Sequence, residues 1–263
     1  MDLENICSRI GDIARQAGQF IREERSKITP KDIELKEKAS LVTYVDKNAE
    51  RMIVEKLRAI MPEAGFVTEE GTAGQHGETW QWVIDPLDGT TNFIHGIFPH
   101  SVSIGLIRDN IPVAGAIYEV GQDELFSAWE GGGAWLNGKR ISVSASSRHE
   151  DVLLATGFPY YSFEIMDQYL KLLGFFMTET RGMRRMGSAA VDLAYVACGR
   201  FDGFFEHALH AWDIAAGIIL VKEAGGKVCD FKGGENYLYG REIVAANTNY
   251  FPAFFKKVNE LLG

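Results

Sequence analysis

Trp82-Val83-Ile84-Asp85-Pro86-Leu87-Asp88-Gly89-Thr90-Thr91-Asn92-Phe93-Ile94-His95 is the stretch on which the reading of this chain turns. The apolar run from Trp80 to Ile84 reads as a buried strand, and Asp85 is the first acid past it, set just before a proline that cannot continue a β-ladder. A carboxylate is therefore expected at a strand end. Asp88 follows, and then Gly89, Thr90 and Thr91, small residues that allow close backbone approach and can open a helix whose free N–H groups face an anion. Two carboxylates and a candidate phosphate cradle thus fall within seven residues. Asp-Pro and Asp-Gly are also common turn dipeptides, but two acids and two threonines directly after an apolar strand need partners. An EF-hand loop is excluded, because Leu87 stands where a second acidic ligand belongs and no glutamate closes the loop. Hard-cation chemistry of the magnesium type fits better.

Acids recur in similar settings on either side of this stretch. Upstream, the short strand Phe66-Val67-Thr68 delivers Glu69-Glu70-Gly71. Adjacent glutamates are usually solvated, yet delivery from an apolar strand end repeats the pattern of Asp85. Earlier still, Leu41 to Val45 leads into Asp46, which on position alone reads as the N-cap of a helix carrying Met52, Ile53, Leu57 and Ile60 on one face and ended by Pro62. Downstream, Trp212-Asp213 begins a helix that is almost wholly apolar through Val221 and closed by Gly225-Gly226. Such a helix must be buried, so Asp213, read as an N-cap or as a metal ligand, lies at the end of a core element.

Taken together, Asp85 to Phe93, Glu69-Glu70 and Trp212-Asp213-Ile214-Ala215-Ala216-Gly217 resemble the motifs of the inositol monophosphatase family of magnesium-dependent, lithium-sensitive sugar phosphatases. Three separated motifs occur in the right order, and the resemblance extends over nearly the whole chain. It implies an α/β (mixed α+β) fold, a five-layer αβαβα sandwich of the inositol monophosphatase and fructose-1,6-bisphosphatase type. It also implies two lobes, 1–145 with Glu69 and the Asp85 motif, and 146–263 with the Trp212 motif. Two to three Mg2+ ions are expected, Glu69, Asp85 and the Leu87 carbonyl holding one, and Asp85, Asp88 and Asp213 another. Catalysis falls to Glu69 and Thr90, which orient or deprotonate a water, with Asp46 bonded to Thr90. The substrate contacts implied are Asp88, Gly89, Thr90, Thr91, Gly187, Ser188, Ala189, Glu206 and Asp213, and the assembly implied is a homodimer.

Composition bounds this picture. A chain of 263 residues that is 46% hydrophobic is ample for a sizeable core. No apolar run approaches the roughly 20 residues needed to span a bilayer, and Met1-Asp2-Leu3-Glu4-Asn5 has no basic or apolar leader pattern, so a cytoplasmic location is expected. Cys7, Cys198 and Cys229 are scattered, without a Cys-x-x-Cys pair, and suggest neither disulfides nor zinc. A net charge of −9 argues against a general nucleic-acid or anionic-membrane surface. An acidic protein that handles phosphate needs local positive charge, which metal held by clustered carboxylates supplies.

The remaining chain reads as alternating elements. Leu3 to Ile21 has helical apolar spacing, and Ser101 to Val143 reads as an antiparallel meander with turns at Asp109-Asn110 and Asn137-Gly138. Gly131-Gly132-Gly133 lacks the Gly-Lys-Ser/Thr of a phosphate loop and reads as a hairpin connection. Residues 71–79 read as a loop, a flap near the site. Arg181, Arg184 and Arg185 precede Gly187-Ser188-Ala189-Ala190, where Ser188 can cap a helix, and the strand Asp202 to Glu206 follows. His207 and His210 have no third imidazole and no HExxH frame, so zinc is not indicated.

The first functional expectation is a monophosphatase acting on myo-inositol phosphates, a preference that rests on Glu206. A sister phosphatase using fructose 1,6-bisphosphate, a nucleotide 3′-phosphate or histidinol phosphate shares the metal motifs. A regulatory protein working through a partner or RNA on the same fold is the reading from another class. No Gly-x-Ser-x-Gly elbow is present, so no serine nucleophile is indicated.

Overall fold

A computed structural model describes residues 1–37, 40–73, 77, 79–158 and 163–263. The chain opens with helix α1 (Leu3–Glu24), whose Ile6, Ile10, Ile13, Ala14, Ala17 and Ile21 form one buried face. Strands β1 (Ile33–Glu37) and β2 (Ser40–Thr43) pair antiparallel and lead into helix α2 (Tyr44–Arg58). Next come β3 (Gly65–Thr68), β4 (Trp80–Asp88), the short helix α3 (Thr90–His95), β5 (Ser101–Arg108), β6 (Ile111–Glu119), β7 (Glu124–Trp129), β8 (Gly133–Leu136) and β9 (Lys139–Ile141). Strands β3 to β9 form one seven-stranded sheet in sequence order, antiparallel except for the parallel β3–β4 pair. Asp109-Asn110 and Asn137-Gly138 take the positive φ values that tight hairpins require.

The second half contributes β10 (Leu153–Thr156), α4 (Met166–Glu179), β11 (Gly182–Arg184), α5 (Ala189–Ala197), β12 (Gly203–His207), α6 (Ala211–Glu223), β13 (Lys227–Cys229), β14 (Glu242–Ala246) and α7 (Phe251–Leu262). Its sheet has the order β11-β10-β12-β14-β13, with β10 parallel to both of its neighbours. Three apolar clusters order the layers. One joins α1 and α2 to the outer face of the seven-stranded sheet, and another packs α5 and α6 between the two sheets. The last packs α4 and α7 on the far face of the five-stranded sheet. The αβαβα sandwich expected from the sequence is therefore the observed architecture.

Local readings differ in four places. Strand β4 does not stop at Asp85 but runs on to Asp88, because a bulge between Asp85↔Ser103 and Asp88↔Ser101 takes Pro86 out of the ladder. Asp46 and Asp213 are not N-caps: Thr43 and His210 cap α2 and α6, and each aspartate sits three residues further on, reaching back to the cap amide. Helix α2 ends at Arg58, before Pro62. The three-residue strand β11 lies inside the basic stretch, to which the sequence reading assigned no element. Of the loop read as a flap at 71–79, residues 74–76 and 78 lie outside the described residues.

The middle helix layer sits tight on the seven-stranded sheet because two glycines face each other there. Gly105 and Gly115 are paired across β5 and β6, and a Cβ on Gly115 would come 2.8 Å from the Ala216 backbone. Gly115→Val should therefore destabilise by about 1–3 kcal/mol through overpacking, or more if α6 cannot shift. Thermal unfolding checks this, and an unchanged midpoint would mean that α6 has slack against the sheet.

Candidate active site

Five carboxylates come together where β3, β4 and the starts of α2 and α6 meet. The bulge in β4 determines how Asp85 and Asp88 are presented. Asp85 turns one oxygen back to accept from the Leu87 amide at 2.9 Å, while the Leu87 side chain is buried in the core and its carbonyl accepts from Thr90 Oγ1 at 3.0 Å. Thr90 Oγ1 also lies 3.0 Å from Asp46 Oδ1. Asp46 Oδ2 accepts from the Thr43 amide at 2.8 Å and from its hydroxyl at 2.7 Å, so the capping box of α2 fixes the acid that meets Thr90.

Asp88 crosses between the two halves of the chain. Its Oδ2 accepts from Ser188 Oγ at 2.6 Å and from the Ala190 amide at 2.8 Å, so an acid from β4 satisfies donors in the first turn of α5. Ser188 is itself the α5 N-cap expected from the sequence. Gly89 and Gly187 let the two loops touch: both have φ of 89°, and a Cβ on Gly89 would come 3.1 Å from the Gly187 carbonyl. Asp213 Oδ2 accepts from the His210 amide at 2.6 Å, again within a capping box.

Burial and mutual repulsion dominate the electrostatics. Burial pushes Asp85 and Asp213 well above the usual carboxylate range, with the charges of neighbouring acids adding to it. Burial raises Asp88 to about 6, against the pull of Ser188 and the α5 amides, and raises Asp46 to about 6. The charge of Glu69 acts on Asp46, Asp85, Asp88 and Asp213, which places it among them. Among the described residues no three His, Cys, Asp or Glu side chains close into a metal cage. Glu69 comes close enough to Asp85 to hydrogen-bond it, which raises Asp85 further. Magnesium needs no closed protein cage, since it keeps waters and takes one or two carboxylates plus a phosphate. An oxygen-only, mutually repelling donor set therefore fits a hard divalent cation.

Glu206 lies on β12, 8% exposed, and burial raises it to about 8, with Arg185 opposing and Asp88 adding to the rise. It also acts on Asp213, so it stands within electrostatic reach of the acid set. Thr91 and Ala189 lie beside these residues, at the starts of α3 and α5.

Several residues with work at this site were not singled out from sequence. Asn92 Nδ2 donates to the Pro99 carbonyl at 2.7 Å and the Met186 carbonyl at 2.8 Å, clasping the two glycine loops. Glu50, fully buried, accepts from the amides of Glu70 and Thr72, each at 2.8 Å, and so fixes the backbone just after Glu69. Asp192 is a buried acid on an otherwise apolar helix, a signal present in Ala189-Ala190-Val191-Asp192-Leu193-Ala194.

A layered sandwich whose acid-bearing strand is bulged defines the class, and the comparisons agree. A model of the inositol monophosphatase family matches residues 2–262, and the chain belongs to that family. It is a phosphatase, and enzymes of this family are generally metal-dependent. The Nus factor SuhB of Escherichia coli strain K12 is 44% identical over 253 residues, covering 95% of this chain and 94% of that protein. The inositol-1-monophosphatase of Rhizobium meliloti is 42% identical over 237 residues, covering 88% of each. Among solved structures, the extragenic suppressor protein SuhB from Bartonella henselae superimposes with a TM-score of 0.92 at 40% identity, covering 97% of this chain and 99% of that one. The inositol monophosphatase from Anabaena gives 0.86 at 32% identity, covering 99% and 98%.

The raised acids carry a pH signature. A carboxylate whose folded pKa exceeds its unfolded value of about 4 makes the folded state the tighter proton binder, so its stabilising effect is full below that value and lost as pH rises through the folded one. For Asp46 and Asp88 that limit is about 6, and for Glu206 about 8. In chelator the melting temperature should thus fall between pH 5 and pH 8, and a divalent cation at pH 8 should offset the loss. A flat or rising profile without metal contradicts this electrostatic account.

Proposed function

We propose that the protein hydrolyses phosphate monoesters of polyols, myo-inositol monophosphate foremost, with magnesium as its metal. The observation that carries this reading is Glu206, a buried carboxylate within electrostatic reach of both Asp88 and Asp213. Glu69, Asp85 and the Leu87 carbonyl would hold one ion, and Asp85, Asp88 and Asp213 another, with two to three in all. When bound, magnesium supplies the positive charge that acidifies a water and stabilises the leaving oxygen.

The chain's own residues do the rest. The single hydroxyl hydrogen of Thr90 is committed to Asp46 or to the Leu87 carbonyl, each 3.0 Å away, so its lone pairs are left to accept a proton from the attacking water. Asp46, raised to about 6, is matched to take the hydrogen that Thr90 passes on. Glu69 orients the same water from the end of β3. Gly89, Thr90 and Thr91 offer phosphate the first amides and hydroxyls of α3. On the alcohol side Glu206 accepts from substrate hydroxyls, and the backbone at Gly187, Ser188 and Ala189 lines the approach. The lobes 1–145 and 146–263 would then meet where Asp88 binds Ser188.

Phosphate release from myo-inositol phosphates, fructose 1,6-bisphosphate, a nucleotide 3′-phosphate and histidinol phosphate, with magnesium or with chelator, tests the substrate and the metal together. Turnover should be greatest on inositol phosphate and vanish in chelator; metal-independent turnover sinks the mechanism. Asp88→Asn should lower kcat on the order of 10² fold or more in protein that still melts cooperatively. Glu206→Ala should weaken inositol phosphate by roughly 1–3 kcal/mol and leave an aryl phosphate without hydroxyls almost unchanged. Equal effects on both substrates would remove Glu206 from the alcohol side.

A second reading follows from the relatives named Nus factor SuhB, 44% identical over nearly the whole chain. In it the protein also serves as a Nus factor, independently of catalysis. Asp88→Asn should then still replace the Escherichia coli relative in a strain lacking it, and failure of that variant where the wild-type chain succeeds counts against the reading.

A further inference from the structure

Helix α2 buries two acids one turn apart on the same face. Asp46 and Glu50 are both 0% exposed, while Ala49, Ile53 and Leu57 beside them belong to the apolar cluster under the seven-stranded sheet. A buried carboxylate needs hydrogen-bond donors. Asp46 finds its own in Thr43 and Thr90. Glu50 reaches the chain that leaves β3: its Oε2 accepts from the Glu70 amide at 2.8 Å, and its Oε1 from the Thr72 amide at 2.8 Å and the Thr72 hydroxyl at 2.7 Å.

These bonds bracket Glu69. Its own amide donates to the Ile84 carbonyl at 3.2 Å, continuing the parallel pairing of β3 with β4, and the next amide, that of Glu70, donates to Glu50. The peptide planes on both sides of the Glu69 Cα are thus held, one by the strand that carries Asp85 and the other by α2. With both backbone dihedrals restrained, the direction of the Glu69 side chain from the backbone is set. A plain loop anchor does not require a buried carboxylate, nor one placed a single turn from the acid that holds Thr90.

We infer that Glu50 is a positioning residue for the attacking water: through the Glu70 amide it sets where the Glu69 carboxylate points, and from one turn along the helix that holds Thr90 through Asp46 it fixes the separation of the two groups that meet that water. Glu50 acts through the backbone, its oxygens taken up by the Glu70 and Thr72 donors. This rests on the assignment of Glu69 to metal and water proposed above.

The test is calorimetric titration of substrate-free protein with magnesium, alongside kinetics on inositol 1-phosphate and an aryl phosphate. In Glu50→Gln the amide oxygen can keep the Thr72 donors, while the amide nitrogen meets the Glu70 N–H, another donor, so the bond beside Glu69 is the one lost. Magnesium affinity and kcat should each fall on the order of tenfold, the scale on which a metal site responds to loss of a group behind its ligand, with KM for both esters unchanged. Thr72→Val, which removes only the hydroxyl donor, should leave affinity and kcat near wild-type; an equal loss there makes Glu50 a loop anchor and overturns the inference. Glu69→Gln and the double variant divide the two roles further. If Glu50 acts through Glu69, its effect on magnesium affinity disappears once Glu69 is changed, whereas a general loosening adds to it. Additive effects, or unchanged affinity and kcat in Glu50→Gln protein that still folds, overturn the inference whatever happens to the melting temperature. Should Glu50→Gln not fold, Glu50→Asp, with both oxygens drawn back by one methylene, goes through the same measurements and is judged in the same way. No loss of magnesium affinity in Glu69→Gln removes the metal assignment itself, while a loss there without one at Glu50 removes this inference alone.

Discussion

One hydrogen-bonded contact organises the molecule: the Asp88 carboxylate, at the end of a strand of the first sheet, bound to Ser188 and the Ala190 amide at the start of the helix layer between the sheets. A helix start leaves amides without carbonyl partners, and an anion is the group best suited to them. The same acid is repelled by Glu69 and buried with Asp85 and Asp213. Donors of the second half stabilise it, while burial and acids from both halves destabilise it. That tension explains why its pKa stays near 6 while Asp85 and Asp213, with fewer donors, lie further up.

The other acids are held by the same device used at smaller range. Asp46 and Asp213 each tie one oxygen to the cap amide of their own helix, and Asp85 ties one to the Leu87 amide. A carboxylate fixed through one oxygen has the direction of the other set by the backbone. Rigidity at the site is thus a by-product of ordinary capping and bulge geometry. Repulsion among the acids is a destabilising term that the sandwich tolerates because its three apolar clusters are continuous and tightly packed.

The acids divide by environment as well as by position. Glu69, Asp85, Asp88 and Asp213 act on one another through their charges. Glu206 answers mainly to burial, with Arg185 opposing and Asp88 adding to the rise, and it is felt in turn by Asp213. The fold by itself does not set the substrate.

Much of this was legible in the residues, because hydrophobic periodicity and short motifs are local. The helices α1 and α6 and the meander with its Asp109-Asn110 and Asn137-Gly138 turns could be read from spacing and composition, while the acids at 69, 85, 88 and 213 were grouped by the family resemblance. What sequence could not supply was the partner of each group. Pro86 suggested the end of a strand, and only pairing with β5 turned it into a bulge. Asp46 and Asp213 looked like caps, and only the backbone conformation of Thr43 and His210 moved them to the third helical position. Asp192 passed unnoticed inside an apolar helix, since nothing local reveals that Glu206, fourteen residues on, comes within electrostatic reach of it. Local sequence determines which residues can cap, bulge or bury, since those depend on near neighbours; which acids repel one another depends on distances through space, and only the packing of two sheets around α5 and α6 decided those.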